Sequence, residues 1–485
     1  MFLTCLSFST AATSLLQSEV VAICGPQSSN VAHFVSHIAA RTQVPLVSFA
    51  ATNPTLSEYQ YPYFSRLVWS DFTQMAAIAA VIKYYGWREI VVLYNDDDYG
   101  KNGIDILEDL IDEMGSRIVY KAGFDIAADN DTITTVLSQL ELMESRVYVV
   151  HMHQAMARIV FLVVNYLKMM TPGYVWIVTD SIASSLDSTN IDLEFVRATQ
   201  GVIGTRMYVP QTVQLLSYLM QRNHMSGRTD LHYYAYELLA YESLWMIAYA
   251  LDRFLQQGNS FNFVASDFPT YMPGGNSDLA QLKLLANGDV LLQHIRDTNF
   301  TGITGFVKLD KRGDAKGISF EIVNRIGTGL NVVGYWVNGT GCSSTPPPLQ
   351  IDGLVHEVVT GDKTEKLQDV IWPGGVSTVP RGWVVPKNGL PLTIGVPNKT
   401  GYPEFVSART DSEGVTTYHG FCIDVFETAI MYLPYAVTYK FVSFGNGTVM
   451  PNYDELIEKI ETKVKRGNKH IFKLCRFVCG LDITT

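Results

Sequence analysis

Between residue 19 and about residue 210, short apolar runs rich in β-branched residues alternate with stretches whose apolar positions recur three and four apart. The runs at 20–24, 44–49, 90–94, 147–150 and 174–178 are continuous rather than alternating, which predicts strands covered on both faces and therefore a parallel sheet. The stretches 30–41, 72–85, 103–114, 132–143 and 155–169 supply the crossover helices of βαβ units. A longer helix is predicted over 233–257. After it, 305–310, 318–324 and 332–337 read as strands separated by glycine-marked turns. A return of the chain through 201–208 predicts a bilobed α/β domain whose lobes are joined by several crossings, with helices flanking parallel sheets.

The pattern closes near Gly341. Pro346-Pro347-Pro348 is a stiff break, and the Pro- and Gly-rich stretch to Gly389 has little periodicity, so it reads as a linker. A second unit opens with a strand at 392–397, followed by a helix over 420–433 and a strand over 437–444. The expected division is a first domain over 1–342, a linker over 343–388, an incomplete second α/β domain over 389–462 and an unmatched basic tail over 463–485.

Composition narrows the function classes. At 485 residues the chain exceeds the size at which one hydrophobic core stops growing. A charged fraction of 17% beside an ordinary apolar fraction marks a folding chain. The net charge of −11, without a block of like charge, leaves no phosphate-neutralising surface, so no nucleic-acid partner is expected. Arg158 interrupts the apolar stretch before 159–167, and Glu237 and Glu242 interrupt the one around 238–250, so no spanning helix is expected. The 6 cysteines are too scattered for a disulfide scaffold. Sequons at Asn130, Asn299, Asn338, Asn398 and Asn446 fit surface loops of a secreted domain, whereas 1–18 lacks the basic start and apolar run of a signal peptide.

Two groups of segments carry a family resemblance. Residues 24–33 (CGPQSSNVAH), 44–57 (VPLVSFAATNPTLS), 84–87 (YYGW) and 95–103 (NDDDYGKNG) resemble the amino-terminal domain of plant glutamate-receptor-like channels, a type I periplasmic-binding-protein fold. Residues 370–375 (VIWPGG), 380–383 (PRGW), 392–398 (LTIGVPN) and 420–426 (GFCIDVF) resemble the linker and first segment of the same family's channel-linked ligand-binding domain. The resemblance covers roughly 15–460. It implies a plasma-membrane receptor with this region extracellular, a small amino acid such as glutamate or glycine as ligand, and homo- or hetero-oligomers with other receptor subunits. Family members carry a strand and helix ahead of the equivalent of Leu15, so the first lobe is expected to lack a strand here. Beyond Ile460 the family continues to an arginine for the ligand carboxylate and to pore helices, and this chain is expected not to conduct ions itself.

An α-amino acid needs hydroxyl or amide donors at its carboxylate and acidic or carbonyl acceptors at its ammonium. Ser28 and Ser29 follow a strand and open a helix, whose positive end favours an anion; plain N-capping is the alternative. The resemblance favours Ser29 as a ligand contact. Ala50, Ala51 and Thr52 end the next strand, where small side chains let a ligand approach backbone N–H and C=O groups; a turn before Pro54 is the alternative. In related receptors this segment holds the ligand head group, which implies that role for Thr52. Tyr99 is placed to close over the ligand from the other lobe or to pack under the hinge. Asp180 is placed to accept the ammonium or to cap the following turn, and Asp71 is a further acidic candidate.

Other constellations are better read as structural. Asp96-Asp97-Asp98 precedes a helix and suits its dipole, and adjacent acids do not converge on one ion without a special loop. His151 and His153 share a strand face without further ligands nearby. No nucleophile–base–oxyanion set, metalloprotease motif or phosphate loop is present, which leaves a binding protein, without a cofactor, rather than an enzyme. A soluble amino-acid-binding protein and a subunit-assembly module that binds no ligand are the rival readings.

Overall fold

The computed structural model describes residues 12, 14–56, 59–187, 192–227, 231–265, 282–348, 366–384, 392–398, 403–410, 416–432 and 439–445. The chain divides into two compact units, the first made of residues 1–141 and 145–383, the second of 142–144 and 384–485.

In the first lobe of the first unit, β1 (Ile23–Cys24), β2 (Leu46–Ser48) and β3 (Phe64–Arg66) pair in parallel in that order. Helix α1 (Ser29–Thr42) lays Val31, Ala32, Val35 and Ala39 against Leu46, Ala51, Leu56 and Phe64 to form this lobe's own core. The chain then crosses at 67–70 into α2 (Asp71–Tyr85). Ser70 starts that helix by accepting the Phe72 amide, and Gly86, at φ +71°, ends it.

The second lobe is built on an eight-stranded sheet. Its parallel part comprises β4 (Glu89–Asn95), β5 (Arg117–Phe124), β6 (Val147–His151), β7 (Val175–Val178) and β8 (Ile203–Met207). Between these strands run α3 (Asp98–Asp112), α4 (Asn130–Glu141), α5 (Gln154–Tyr166), α6 (Asp180–Leu186) and α7 (Leu193–Ala198). All five residues of β6 and all four of β7 are buried, the physical counterpart of their unbroken apolar runs.

The chain returns to the first lobe at 208–212. It forms α8 (Val213–Ser226), the long α9 (Ala235–Gln256) that packs on β1 and β2, the paired β9 (Phe263–Ala265) and β10 (Lys283–Leu285), and α10 (Gly288–Asp297). The antiparallel pair β11 (Asn299–Thr301) and β12 (Phe306–Lys308) follows. A third crossing at 309–318 leads into β13 (Ser319–Ile326), β14 (Gly329–Val337) and β15 (Gly341–Ser343), which add antiparallel strands to the large sheet beside β8. The bilobed α/β architecture is therefore the one the alternation predicts. Strand β5 escapes the pattern because only two of its eight residues are buried, and β3 escapes because it holds a buried arginine, Arg66.

The linker expected over 343–388 is corrected over most of its described part. Within 366–383, Leu367, Val370 and Trp372 enter the main core of the first unit. Trp87 Nε1 donates to the Pro380 carbonyl at 2.9 Å, and the Ile371 amide donates to Asn324 Oδ1 at 2.9 Å. The first unit thus runs to residue 383 rather than closing near Gly341. Periodicity misses the segment because it packs as an irregular strap without helix or strand repeat.

In the second unit, β16 (Leu392–Pro397) pairs in parallel with β19 (Tyr439–Phe444), and β17 (Ser407–Thr410) pairs antiparallel with β18 (Thr416–His419). Helix α11 (Phe421–Met431) buries Ile423 and Phe426 but leaves Phe421 and Val425 exposed. Ile423 joins Val396 and Val406 in a small core. The tail expected over 463–485 and the first 11 residues lie outside the described residues.

Candidate functional site

The first-lobe wall of the interlobe cleft is set by the ends of β1 and β2. Ser29 opens α1 and is buried, its Oγ accepting the Asn53 amide at 3.3 Å. Ser28 occupies the N-cap position but makes no side-chain cap bond and is exposed. Ser48 Oγ accepts the amides of Ala50 at 3.3 Å and Ala51 at 3.0 Å. Arg66 Nη1 donates to the carbonyls of Ala51 at 3.3 Å and Asn53 at 2.8 Å, while its Nε donates to Asp314 Oδ1 at 2.6 Å. These amides and the Ala51 carbonyl, expected to be open to a ligand, are therefore already engaged by Ser48 and Arg66. The small side chains let those two polar groups reach the backbone.

Thr52, beyond the end of β2 on this wall, joins Asp71 and Asp180 of the facing lobe in one connected group. Thr52 Oγ1 donates to Asp71 Oδ2 at 2.8 Å, and Gln74 Nε2 donates to Asp71 Oδ1 at 3.1 Å. Gln74 Oε1 in turn accepts the Asp180 amide at 2.7 Å, so one side chain ties the start of α2 to the start of α6. Asp180 Oδ1 accepts the Ser184 hydroxyl at 2.8 Å. Tyr99, on α3, stacks on His153 with centroids 4.9 Å apart and sets its hydroxyl 3.4 Å from His151 Nδ1. The lobes also meet directly: Asn30 Nδ2 donates to Asp97 Oδ2 at 3.3 Å and Asn102 Nδ2 to Asn53 Oδ1 at 3.2 Å.

Burial controls the electrostatics here. Asp71 and Asp180 are both fully buried, and desolvation pushes each carboxyl up to about 7. Hydrogen bonds from Thr52 and Gln74 and the charge of Arg66 oppose that rise at Asp71; Ser184 and Arg206 oppose it at Asp180. Neither carboxyl has an ion-pair partner within 4.0 Å among the described residues. The phenol of Tyr236, on α9, is held well above its usual value by burial and then by Asp180, Tyr99 and Asp71, so these four groups lie within electrostatic reach. Burial lowers His151 to about 4, which keeps it neutral. At Asp97 burial works upward, but hydrogen bonds from His153, Gly100 and Asn30 outweigh it and hold the carboxyl low. Asn53 Nδ2, Asn95 Nδ2 and Asn30 Oδ1 are buried without a protein hydrogen bond. A molecule carrying an ammonium would favour ionisation of a carboxyl so placed, and one carrying a carboxylate suits amide donors and a helix N-terminus.

The family model described as Receptor family ligand binding region matches residues 4–328. The chain belongs to that receptor family. Its curated relatives include Glutamate receptor 3.1 of Oryza sativa subsp. japonica, 39% identical over 456 residues that cover 93% of this chain and 48% of the relative. Glutamate receptor 3.4 of Arabidopsis thaliana is 38% identical over 450 residues, covering 93% and 46%. Glutamate receptor 3.7 of Arabidopsis thaliana is 37% identical over 451 residues, covering 93% and 48%. The chain therefore spans about half the length of these relatives. The receptor family matched is a ligand-binding region, not a catalytic domain. Among the described residues, no helix is long and apolar enough to cross a membrane and no cluster of three or more His, Cys, Asp or Glu could hold a metal.

In this receptor chain the sequence-derived candidates do not all converge. Ser29, Thr52, Asp71, Tyr99 and Asp180 are buried around the interlobe face, whereas Ser28 turns outward and Ala50 and Ala51 act through backbone already hydrogen-bonded. Sequence reasoning missed Gln74, Tyr236, Asn30, Asn95 and Asn102. The available signal was a polar residue on an otherwise apolar helix stripe: Gln74 lies between Asp71 and Met75 on the buried face of α2. Tyr236 carried no such signal, because an aromatic residue at helical spacing looks like core.

Proposed function

We propose that this chain is the amino-acid-sensing extracellular portion of a glutamate-receptor-like ligand-gated cation channel, binding a small amino acid such as glutamate or glycine between its lobes. The observation that carries this reading is the pair of buried carboxyls, Asp71 and Asp180, drawn together by Gln74 opposite the Ser29 and Asn53 wall without a counter-cation. Asp180 receives the ammonium, and the α1 N-terminus with Ser29 and the unpaired Asn53 side-chain Nδ2 meets the carboxylate. Tyr99 closes the apolar side. Binding favours the closed arrangement of the lobes because only that arrangement brings both walls to the ligand. In a full-length channel of such subunits, this closure is the input to the pore.

Isothermal titration of the full chain with glutamate, glycine and the other common amino acids tests the reading. Saturable binding of at least one, weakened in Asp180→Ala, supports it. No binding by any of them refutes sensing, and sedimentation of the same sample then reads whether the chain instead pairs as a subunit-assembly module.

A further inference from the structure

A pocket of about 380 Å³ opens at the hinge of the first unit, lined by none of the cleft residues described above. Every crossing between the lobes contributes to it: Leu67 from the first, Tyr208 and Pro210 from the second, and 315–318 from the third. Helix α9 adds Leu239 and Glu242, and β12 adds Val307 and Lys308. Lys308 ends β12 and Lys316 lies in the third crossing beside it, the Lys316 amide donating to the Lys308 carbonyl at 2.9 Å. Both side chains are exposed, and neither has an ion-pair partner among the described residues.

Among the described residues Glu242 is the only acidic one lining the pocket, and it is spent internally. One oxygen accepts the Thr304 amide at 2.7 Å and the other the Thr304 hydroxyl at 2.6 Å. Burial pushes this carboxyl up to about 7, so it puts little negative charge into the interior below neutral pH. Among the described lining residues the pocket thus carries two lysines without ion-pair partners and one carboxyl already bonded to Thr304, beside the apolar Leu67, Met207, Leu239 and Leu309.

We propose that the hinge pocket is a second ligand site, taking a small organic carboxylate whose apolar body packs on Leu67, Met207, Leu239 and Leu309 and whose charge is met by Lys308 and Lys316. Its size is at the lower end for ligand pockets, which restricts the occupant to a small molecule. Because the occupant touches all three crossings, rotation of the lobes about the hinge changes its contacts, and its binding is linked to closure.

The test uses the full chain with benzoate and hexanoate as probes and benzamide and hexanamide as their neutral counterparts, followed by ligand-observed NMR titration. The carboxylates are expected to bind about five- to tenfold more tightly than the amides. That preference is expected to vanish in the double variant Lys308→Gln with Lys316→Gln, whose changes fall on exposed side chains. Ala315→Phe, which fills the pocket from its wall, is expected to abolish binding of both classes. Equal affinity for carboxylate and amide, an unchanged preference in the lysine double variant, or no saturable binding at millimolar concentration would overturn the proposal. So would full competitive displacement of benzoate by glutamate, which would locate the probe in the cleft.

Discussion

Replacing Asp71 with Asn is expected to stabilise the first unit at pH 8 while leaving it nearly unchanged below pH 4. The folded-state carboxyl is raised from 3.8 to about 7. Between those values the folded chain holds a proton that the unfolded chain has lost, so stability is greatest at the acid end and falls as pH rises toward 7. A span of about 3 pH units at about 1.4 kcal/mol each makes the penalty at pH 8 on the order of 4 kcal/mol. Asparagine removes that penalty but gives up one acceptor, since Thr52 and Gln74 both donate to the carboxylate, and this costs about 1 kcal/mol. The net gain expected at pH 8 is therefore about 3 kcal/mol. Urea titrations of the full chain from pH 4 to 8.5, followed by tryptophan fluorescence, read it directly. All 7 tryptophans lie between Trp69 and Trp383, so the signal reports the first unit alone. Asp180 and Glu242, also raised to about 7, add slope of the same sign, and the variant should keep that remainder. Parallel curves for wild type and variant across pH 5 to 8 would refute the reasoning, because they would mean that Asp71 titrates in the folded chain as it does in water.

Truncating Asp180 to Ala should remove a charge-assisted bond of about 1.5–3 kcal/mol and weaken amino-acid binding roughly ten- to a hundredfold by calorimetry; unchanged affinity would leave Asp180 a structural residue. Arg66→Ala strands the buried carbonyls of Ala51 and Asn53 and should destabilise the first unit by about 2–4 kcal/mol in the same urea assay. Gly201 sits at φ +82°, and a Cβ there would come within 2.3 Å of the Pro373 nitrogen. Gly201→Ala should therefore cost about 2–4 kcal/mol, read as a lowered melting temperature, and an unchanged melt would show that the 366–383 strap yields readily.

The order of apolar positions by itself determined the α/β class, the two lobes and the first strand and helix of the second unit, because periodicity reports which faces a local segment must cover. Strand ends also made Ser29, Thr52 and Asp180 candidates beside the capping and turn alternatives, and the family resemblance, not the strand ends, favoured Ser29 and Thr52. Tertiary structure alone decided the rest. Ser28 and Ser29 are neighbours of one type, yet one turns outward and the other reaches Asn53, 24 residues on. Whether the amides of Ala50 and Ala51 are open depends on where the Ser48 hydroxyl points, and the Ala51 carbonyl depends on Arg66. The joining of Asp71 to Asp180 runs through Gln74, across 106 residues between its carbonyl oxygen and the Asp180 amide. The strap over 366–383 belongs to the first unit because Trp372 and Leu367 find space in a core assembled from distant strands. A hydroxyl, amide or irregular apolar residue takes its partner from wherever the fold brings one, and no local period encodes that choice.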